Sequence, residues 1–354
     1  MSRPRLLVVT SVHHPDDARI RSKLINTLAA EWDVTYAAPE PGPRNPAGLE
    51  WVPLTGGRLD RLIQAVRLMG RDSWDLVALH DPELLVGGLP RSRRGEATLF
   101  DLHENLPAQL RTRERTPPFL RRPLAAVAGW ALHLAENSMA ITLAEPGYQE
   151  LFRTEHPIIA NYLPASLPDP RPAASPPFMA YLGDVTVVRG AFLAIEAAAG
   201  AGHSLVMVGR VVPGTLAEPL ARRADELGVE LELVGPLPHA EALERVAAAS
   251  VGLSPLEDIG NYRHSLPTKV PEYLALGLPV ITSDLPGTRE PIADLDGVTF
   301  VNPGDVPGWR EAGRSVAEDL TIRERTMRQV DLVRERFTWP GEDVLAVYRE
   351  AARL

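Results

Sequence analysis

Short runs of apolar residues alternate along the chain with longer stretches in which apolar residues recur every three or four positions. The runs are typical of strands buried on both faces, and the longer stretches of amphipathic helices. Strands are predicted at Leu6–Val9, Val34–Ala37, Leu76–Leu79, Thr98–Phe100, Ala140–Leu143, Phe178–Leu182, Leu205–Val208, Leu231–Val234, Val251–Leu253 and Val280–Thr282. Helices are predicted at Ala18–Glu31, Leu59–Gly70, Ala191–Ala199, Leu216–Leu227 and Ala240–Ala249. The alternation predicts an α/β fold of parallel sheets covered by helices.

A proline-rich segment divides this pattern into two similar halves. Six prolines lie between positions 164 and 177, and proline continues neither a helix nor a central strand. We therefore predict two Rossmann-like, doubly wound domains, residues 1–163 and 178–335, that face a central cleft. Residues 164–177 would form a semi-rigid linker between them, and residues 336–354 a last helix.

Composition and charge exclude several classes of protein. The net charge of −9 over 354 residues argues against a protein that binds nucleic-acid backbones. The absence of cysteine excludes disulfides, thiolate metal sites and cysteine nucleophiles. No apolar run reaches the roughly 20 residues of a membrane span, and the amino terminus lacks the apolar core of a secretory signal. We expect a cytoplasmic protein.

The turns that follow strands are the places to look for chemistry, because ligands of open α/β sheets bind beyond the carboxyl ends of the strands. The first such turn carries His13 and Arg19 but no Gly-x-Gly-x-x-Gly, so a dinucleotide fingerprint is absent. Both side chains would meet a ligand there, and a plain surface role is the alternative. His103 and Glu104 follow the strand at 98–100. A histidine flanked by carboxylates suits proton transfer or hydrogen bonding, so we expect His103 to be functional.

In the second half, two turns suit a diphosphate. Gly183 lets the backbone approach a ligand, and Arg189 precedes a helix, although a plain strand–turn–helix is the alternative. Lys269 is one of only two lysines among 37 basic residues. It is predicted to lie in a first helical turn, where the helix dipole disfavours a cation unless phosphates neutralise it. Glu272, one turn further on, suits the hydroxyls of a sugar.

One basic and apolar stretch stands out on this acidic chain. Arg111, Arg113, Arg115, Arg121 and Arg122 lie beside the apolar segment Leu124–Leu134, which contains Trp130. Such a stretch suits peripheral docking on an anionic membrane surface. A buried core helix with a solvated arginine-rich lead-in is the alternative, and the pattern favours it.

Taken in order, these motifs resemble the retaining glycosyltransferases of the GT-B fold, in the family GT4 (glycosyl transferases group 1). The resemblance rests on Asp101–Glu104, Ile141–Glu145, Tyr181–Gly183 with Arg189–Gly190, Leu266–Tyr273 with Gly277–Val280, and Phe337–Trp339 before the last helix. It covers essentially the whole chain, and residues 266–281 are its most specific part.

The resemblance implies a role for each matching residue. The first domain would bind a hydroxyl acceptor, with His103 as the catalytic residue near the transferred sugar. The second would bind a nucleotide-diphosphate sugar, with Gly183, Arg189 and Lys269 at the diphosphate and Glu272 at the ribose. The last helix, 336–354, would return to the first domain. No metal or other cofactor is expected.

The sequence also departs from the family pattern. His264 stands where the family has the first glutamate of its Glu-x7-Glu motif, and Asp184 stands where a second diphosphate cation is frequent. His264, His13, Arg19 and Glu104 are therefore candidates for contacts with the donor sugar or the acceptor. The function expected is transfer of a hexose-type sugar (class EC 2.4) to a glycan, a lipid-linked acceptor or a natural product. A catalytically weak auxiliary protein is the first alternative, and a nucleotide-sugar 2-epimerase the second.

Overall fold

The chain forms two compact units. The computed structural model describes residues 3–42, 49–71, 74–112, 116–164 and 166–353. One unit comprises Met1–Asn161 with Trp339–Leu354, and the other comprises Tyr162–Thr338. The chain therefore changes unit at 161/162 and at 338/339, and the proline-rich segment lies within the second unit.

The first unit is built on a six-stranded parallel sheet. Its strands are β1 Arg5–Val9, β2 Asp33–Pro39, β3 Glu50–Leu54, β4 Leu76–Leu79, β5 Thr98–Leu102 and β6 Ala140–Leu143, in the order β3-β2-β1-β4-β5-β6. The α-helices are α1 Asn26–Leu28, α2 Arg58–Met69, α3 Leu85–Arg93, α4 Leu106–Thr112, α5 Pro118–Glu136 and, from the end of the chain, α14 Gly341–Ala351. A π-helix, Ala18–Ile25, precedes α1, and Asp17 caps it by accepting hydrogen bonds from the backbone N–H groups of Arg19 and Ile20.

The second unit repeats the same plan. Its strands are β7 Phe178–Leu182, β8 Ser204–Val208, β9 Leu231–Gly235, β10 Val251–Ser254, β11 Val280–Ser283 and β12 Val298–Val301, in the order β12-β11-β10-β7-β8-β9. Its helices are α6 Ala191–Ala201, α7 Ala217–Leu227, α8 His239–Val246, α9 Lys269–Ala275, α10 Pro286–Ile292, α11 Val306–Glu318, α12 Ile322–Arg328 and α13 Val330–Arg336. In each sheet the strand order reverses once, between β1 and β4 and between β7 and β10, and such switch points are where ligands bind.

Continuous apolar strands follow from burial on both faces of each sheet. Along β1, Leu6 and Val8 pack into one core, whereas Leu7 and Val9 pack into another on the opposite face. Successive side chains of a strand point to opposite faces, so both sets must be apolar. This confirms the prediction of two helix-covered parallel sheets.

The sequence missed two strands, β3 and β12. Both lie at the edge of a sheet, and most of their side chains are half-buried or exposed. Edge strands need not be apolar on both faces, so their pattern is weak. Pro53 of β3 weakens it further, since proline cannot donate to a sheet.

The proline-rich segment is held against the second unit, which differs from the expected linker between domains. The backbone N–H of Ala174 donates to the carbonyl of Ala248 at 2.9 Å, and the carbonyl of Pro168 accepts from Arg334 at 2.8 Å. Leu167 packs against a core of this unit. Ala165, which belongs to the expected linker, lies outside the described residues.

Helix α5 is buried on one face only. Ala125, Ala128 and Leu132 are buried, whereas Phe119 and Trp130 are 76% and 62% exposed. The interpretation of this segment as a buried core helix therefore holds for only one face of α5. Among the described residues, no helix is long and apolar enough to cross a membrane. Of the arginines singled out here, Arg113 and Arg115 lie outside the described residues.

Helices α6 and α11 pack with their backbones in contact. A Cβ atom at Gly313 of α11 would overlap with the carbonyl oxygen of Ala197 in α6, and one at Gly200 of α6 would overlap with the carbonyl of Arg310. Backbone atoms cannot yield to a side chain, so these positions require glycine.

We expect Gly313→Ala to lower the free energy of unfolding by about 1–3 kcal/mol, because the added methyl group overpacks this contact. Gly129→Ala on α5 is the control, since a Cβ there meets nothing within 4 Å. That variant should be stabilised by up to about 1 kcal/mol, because alanine favours a helix. Thermal unfolding of both variants is the measurement, and equal midpoints would contradict the proposed contact.

Candidate active site

Polar side chains gather in the first unit at the carboxyl ends of the strands around the switch point. His13 follows β1, His80 and Asp81 follow β4, and Asp101 and His103 lie at the end of β5. Parallel strands bring these ends to one edge of the sheet, which explains why residues far apart in sequence meet.

Asp101 is the centre of this cluster. Its buried carboxylate forms a two-point ion pair with Arg19, with Nη2 to Oδ1 at 2.8 Å and Nε to Oδ2 at 3.2 Å. Thr142 donates to Oδ1 at 2.8 Å, and Nε2 of His103 lies 2.6 Å from Oδ2. The carboxylate is thereby surrounded by donors, as a buried charge requires.

The charges of the cluster are fixed by burial and by this pair. Burial alone would raise the pKa of Asp101, but the guanidinium of Arg19, with His103 and His80, outweighs it and holds that pKa well below its usual range. Burial lowers the pKa of His103 below 6.5, and Arg19 and His80 lower it further, against the opposing effect of Asp101. At neutral pH the site therefore holds a carboxylate, a guanidinium and an uncharged His103.

The short contact assigns the tautomer of His103. An uncharged imidazole carries one N–H. A carboxylate only accepts, so the 2.6 Å distance from Nε2 to Asp101 favours a proton on Nε2, against the 3.2 Å contact in which Nε of Arg19 points at the same nitrogen. Nδ1 is then the acceptor of the ring. The phenol of Tyr148 also donates to the backbone carbonyl of His103 at 3.1 Å, which holds the strand end in place.

His13 lies beside His103 with its own carboxylate. The two rings are tilted, with centroids 5.3 Å apart, and Nε2 of His13 is 3.3 Å from Oδ1 of Asp81. The other oxygen of Asp81 accepts from the backbone N–H of Ser11 at 2.6 Å and from the hydroxyl of Thr10 at 2.8 Å. The loop after β1 is thus tied to the end of β4.

Two expectations about this site need correction or qualification. Arg19 was expected to contact a ligand, but it is 4% exposed and its guanidinium is committed to Asp101 and to the carbonyl of Ile159 at 2.5 Å. It acts on the site by holding Asp101. Glu104 is exposed and accepts from Gln109 at 2.8 Å, so its carboxylate is accessible.

One group of possible metal ligands occurs among the described residues. Ligand atoms of His80, Asp101 and His103 lie within 4.8 Å of one another. The guanidinium of Arg19 already places a positive charge at this carboxylate. A metal ion there would have to displace or tolerate that charge, so the residues present do not fit a divalent cation well.

The cluster opens into a cavity of about 860 Å³ that is formed within the first unit. His13, His80, Asp81, His103 and Glu104 line its polar end. Sites for drug-sized molecules typically have volumes of about 300–1,000 Å³, so this cavity is large enough for a substrate.

In the second unit, the ammonium of Lys269 is buried without a hydrogen-bond partner. The residue is 7% exposed, and no described residue accepts a hydrogen bond from Nζ. Nζ lies 4.0 Å from the centre of the Tyr181 ring, a cation–π contact. Burial and, to a smaller extent, the charge of Arg189 lower the pKa of Lys269 to about 7, against the opposing effect of Glu272.

Arg189 is held next to the end of β7. Its Nε donates to the phenol oxygen of Tyr262 at 3.2 Å, and a Cβ on Gly183 would lie 3.5 Å from one of its terminal nitrogens. Gly190, directly after it, has a φ of 74°, and a side chain there would overlap with the carbonyl of Pro255. The sharp turn therefore requires glycine and orients Arg189.

Glu272 has a histidine partner that sequence reasoning missed. Nε2 of His239 lies 2.9 Å from Oε1 of Glu272, and the Glu272 side chain is buried. His239 begins α8, shortly after the end of β9. His80 and Asp81 were missed as well. All three follow strand ends, so a complete survey of those turns would have found them.

The two departures from the family pattern are both at the surface. His264 is exposed, at the end of a short 3-10 helix, Gly260–His264. Asp184 forms an exposed ion pair with Arg210, which follows β8, at 3.0 Å. Position 184 thus lacks a cation, but Arg210 at the end of the neighbouring strand β8 supplies one next to it.

Comparison with known proteins agrees with the fold. A sucrose-phosphate synthase from Thermosynechococcus elongatus has a TM-score of 0.76 at 16% identity, over 99% of each chain. HepE from Anabaena, in complex with UDP and glucose, has a TM-score of 0.72 at 16% identity, over 99% of each chain. WaaG, a glycosyltransferase of lipopolysaccharide biosynthesis, has a TM-score of 0.69 at 15% identity, over 97% of this chain and 99% of that one. Two six-stranded parallel sheets with flanking helices define the GT-B fold.

Comparison of the sequence with family models matches part of the chain to a family. Residues 179–319 match the model of the glycosyl transferases group 1 family, and no curated protein shows a significant match to the chain. The chain thus has the GT-B fold seen in glycosyltransferases, and residues 179–319 of its second unit match the glycosyl transferases group 1 family.

Asp101→Asn should destabilise the first unit by about 3–5 kcal/mol, because it leaves the buried guanidinium of Arg19 without a countercharge. Adding Arg19→Met should recover much of this loss, since no charge is then buried. Thermal and urea unfolding of the single and double variants are the measurements. A single variant as stable as the native protein would show that the pair contributes little.

Proposed function

We propose that the protein transfers a sugar from a nucleotide-diphosphate sugar to a hydroxyl acceptor, with retention at the anomeric carbon and without a metal ion. The second unit would bind the donor and the first the acceptor. The proposal includes membership of the GT4 family, a bacterial source and a cytoplasmic location.

The observation that carries the proposal is the unpartnered ammonium of Lys269 beside Arg189. The charge of Arg189 adds to burial in lowering the pKa of Lys269, and in the unliganded protein no described residue accepts a hydrogen bond from Nζ. A buried cation without a partner is costly. A diphosphate would supply the missing negative charge and acceptor oxygens, so this arrangement favours a site for it.

Each functional residue then has a physical role. As the bond from the sugar to the diphosphate breaks, negative charge grows on the leaving group. Arg189 and Lys269 would stabilise that charge, and the loss of one such contact typically costs about 10²–10³ in rate. Glu272, oriented by His239, would accept hydrogen bonds from the ribose. His103, uncharged and with Nδ1 as acceptor, would hydrogen-bond at the transferred sugar.

Retention and metal independence are argued from the environment of Asp101. Asp101, the carboxylate next to His103, is buried and paired with Arg19, which weakens it as a nucleophile. We therefore assign no covalent intermediate and propose attack on the same face from which the diphosphate leaves. A metal ion at Asp101 would have to compete with the guanidinium of Arg19, which already pairs with that carboxylate.

The complexes of a structural neighbour suggest which donor to test first. HepE has been solved with UDP and with UDP-glucose. UDP-glucose is therefore the first donor to test, followed by guanosine and thymidine diphosphate sugars. Membrane docking through residues 111–130 stays a prediction.

Nucleoside diphosphate binding should be coupled to proton uptake by Lys269. Its pKa in the free protein is about 7, and a bound diphosphate would raise that pKa. Between the two values, binding takes up a proton, so affinity should fall as the pH rises above about 7, by up to tenfold per unit. Calorimetry with UDP at about pH 8, in buffers of different ionisation enthalpy, measures this uptake.

The two lysines of the chain provide a matched control. Lys269→Gln should weaken UDP binding about 30-fold or more, since removing one partner of a buried charge pair costs about 2–5 kcal/mol, and should abolish proton uptake. Lys23→Gln, in the first unit, should change neither. Unchanged binding in Lys269→Gln would contradict the diphosphate site, as would the absence of binding to UDP, GDP, dTDP and ADP.

A second experiment separates an active enzyme from the alternative, a catalytically weak auxiliary protein. His264 and Asp184, at positions where the family differs, motivate that alternative. If the protein is active, it should slowly hydrolyse its donor without an acceptor, and EDTA should not affect the rate. His103→Ala should reduce hydrolysis by about 10² while UDP binding stays intact. Binding without any hydrolysis or transfer would favour the auxiliary role.

A further inference from the structure

The cavity of the first unit is polar at one end and apolar along its wall. The histidines and carboxylates around His103 form the polar end. Most of the other lining side chains are aliphatic or aromatic, and they include Leu106 and Leu110 from α4 and Leu124 and Val127 from α5. The cavity therefore presents two opposite kinds of surface to one ligand.

The apolar wall is left open by the protein itself. Val127 is 61% exposed and Leu124 41% exposed, whereas Ala128 and Leu132 of α5, which also line the cavity, are buried. Large apolar groups clustered at an opening are unusual for a soluble surface and mark a place where another apolar group binds.

Some hydrogen-bonding groups at the polar end of the cavity are not used within the described part of the protein. Nε2 of His80 is buried, and no described residue forms a hydrogen bond with it. The proton of His103 is directed to Asp101, which leaves its Nδ1 to accept from another group. His13 is partly exposed next to it. A hydroxyl group, which donates one hydrogen bond and accepts others, suits such a set of histidines.

We propose that the acceptor is an amphipathic alcohol, whose hydroxyl lies among His13, His80 and His103 and whose apolar body lies along α4 and α5. The inference rests on the proposed function, and it selects acceptors with a substantial apolar part. A small free sugar would place its hydroxyls against the apolar wall, where they would lose hydrogen bonds to water without replacement.

A flat membrane surface is the main competing occupant of this wall. The cavity volume of about 860 Å³ and the presence of His103 in its lining favour a single ligand molecule instead. A membrane would cover the exposed apolar side chains of α5 but would not fill the polar end.

A series of simple alcohols tests the inference. Binding of 1-butanol, 1-hexanol and 1-octanol to the full chain is measured by ligand-observed NMR and calorimetry. Each methylene buried in the apolar wall should tighten binding about fourfold. The hydroxyl is the same in all three probes, so the change in affinity with chain length reports only the contacts with the apolar wall.

Two valines provide matched variants. Val127→Glu places a charge in the wall and should abolish the dependence on chain length. Val86→Glu is the control: Val86, on α3, is 63% exposed and does not line the cavity. Both changes are at exposed positions, so both variants should fold, and UDP binding should be unchanged in each.

The outcomes are distinct. The inference is supported if affinity rises with alcohol chain length in the native protein and in Val86→Glu but not in Val127→Glu. Equal binding of all alcohols, no binding, or a slope that survives Val127→Glu overturns it, and intact UDP binding then leaves the proposed function standing. Retention on phosphatidylglycerol vesicles that requires Val127, with no alcohol binding, assigns the wall to a membrane and also overturns it. If affinity rises with alcohol chain length but UDP does not bind, the amphipathic site is supported and the proposed function fails.

Discussion

The ion pair between Asp101 and Arg19 is the interaction on which the first unit's site depends. It neutralises a charge buried at the end of β5, and it lets Asp101 remain ionised and orient His103 through a 2.6 Å contact. Arg19 reaches it from a π-helix, a rare form that is frequent at functional sites. Without Arg19, Asp101 would gain a proton or draw in water, and the tautomer of His103 would no longer be defined.

The same sheet topology serves two opposite electrostatic tasks. In the first unit the switch point collects histidines and carboxylates, with one guanidinium that is fully committed. In the second, the strand ends and nearby turns hold Arg189 and Lys269, and no described residue accepts a hydrogen bond from the Lys269 ammonium. The shared strand order fixes where ligands bind, whereas the residues in the turns decide which charges those ligands carry.

Much of this was available from the sequence, and the exceptions have physical causes. Most of the ten predicted strands are buried on both faces and therefore continuously apolar, whereas the missed edge strands β3 and β12 lack that constraint; the edge strand β9 was found although its side chains are half-buried or exposed. His103, Lys269 and Glu272 could be singled out because each lies next to a recognisable strand or helix end. The partner of Glu272, His239, is 33 residues away, and no local pattern reveals such a pairing. The burial of Arg19 likewise depends on contacts with β5 and with Ile159 that only the folded chain brings together.

The scarcity of lysine gives the chain an unusual chemical identity. It contains two lysine side chains, and the pKa of one of them, Lys269, is about 7. A large fraction of that amine is therefore unprotonated at neutral pH, and an unprotonated amine is a nucleophile. Small electrophiles that reach it would discriminate it from Lys23 and from the many arginines. The residue proposed to bind a diphosphate would thus also be the more reactive of the two lysines toward an electrophile small enough to reach its buried amine.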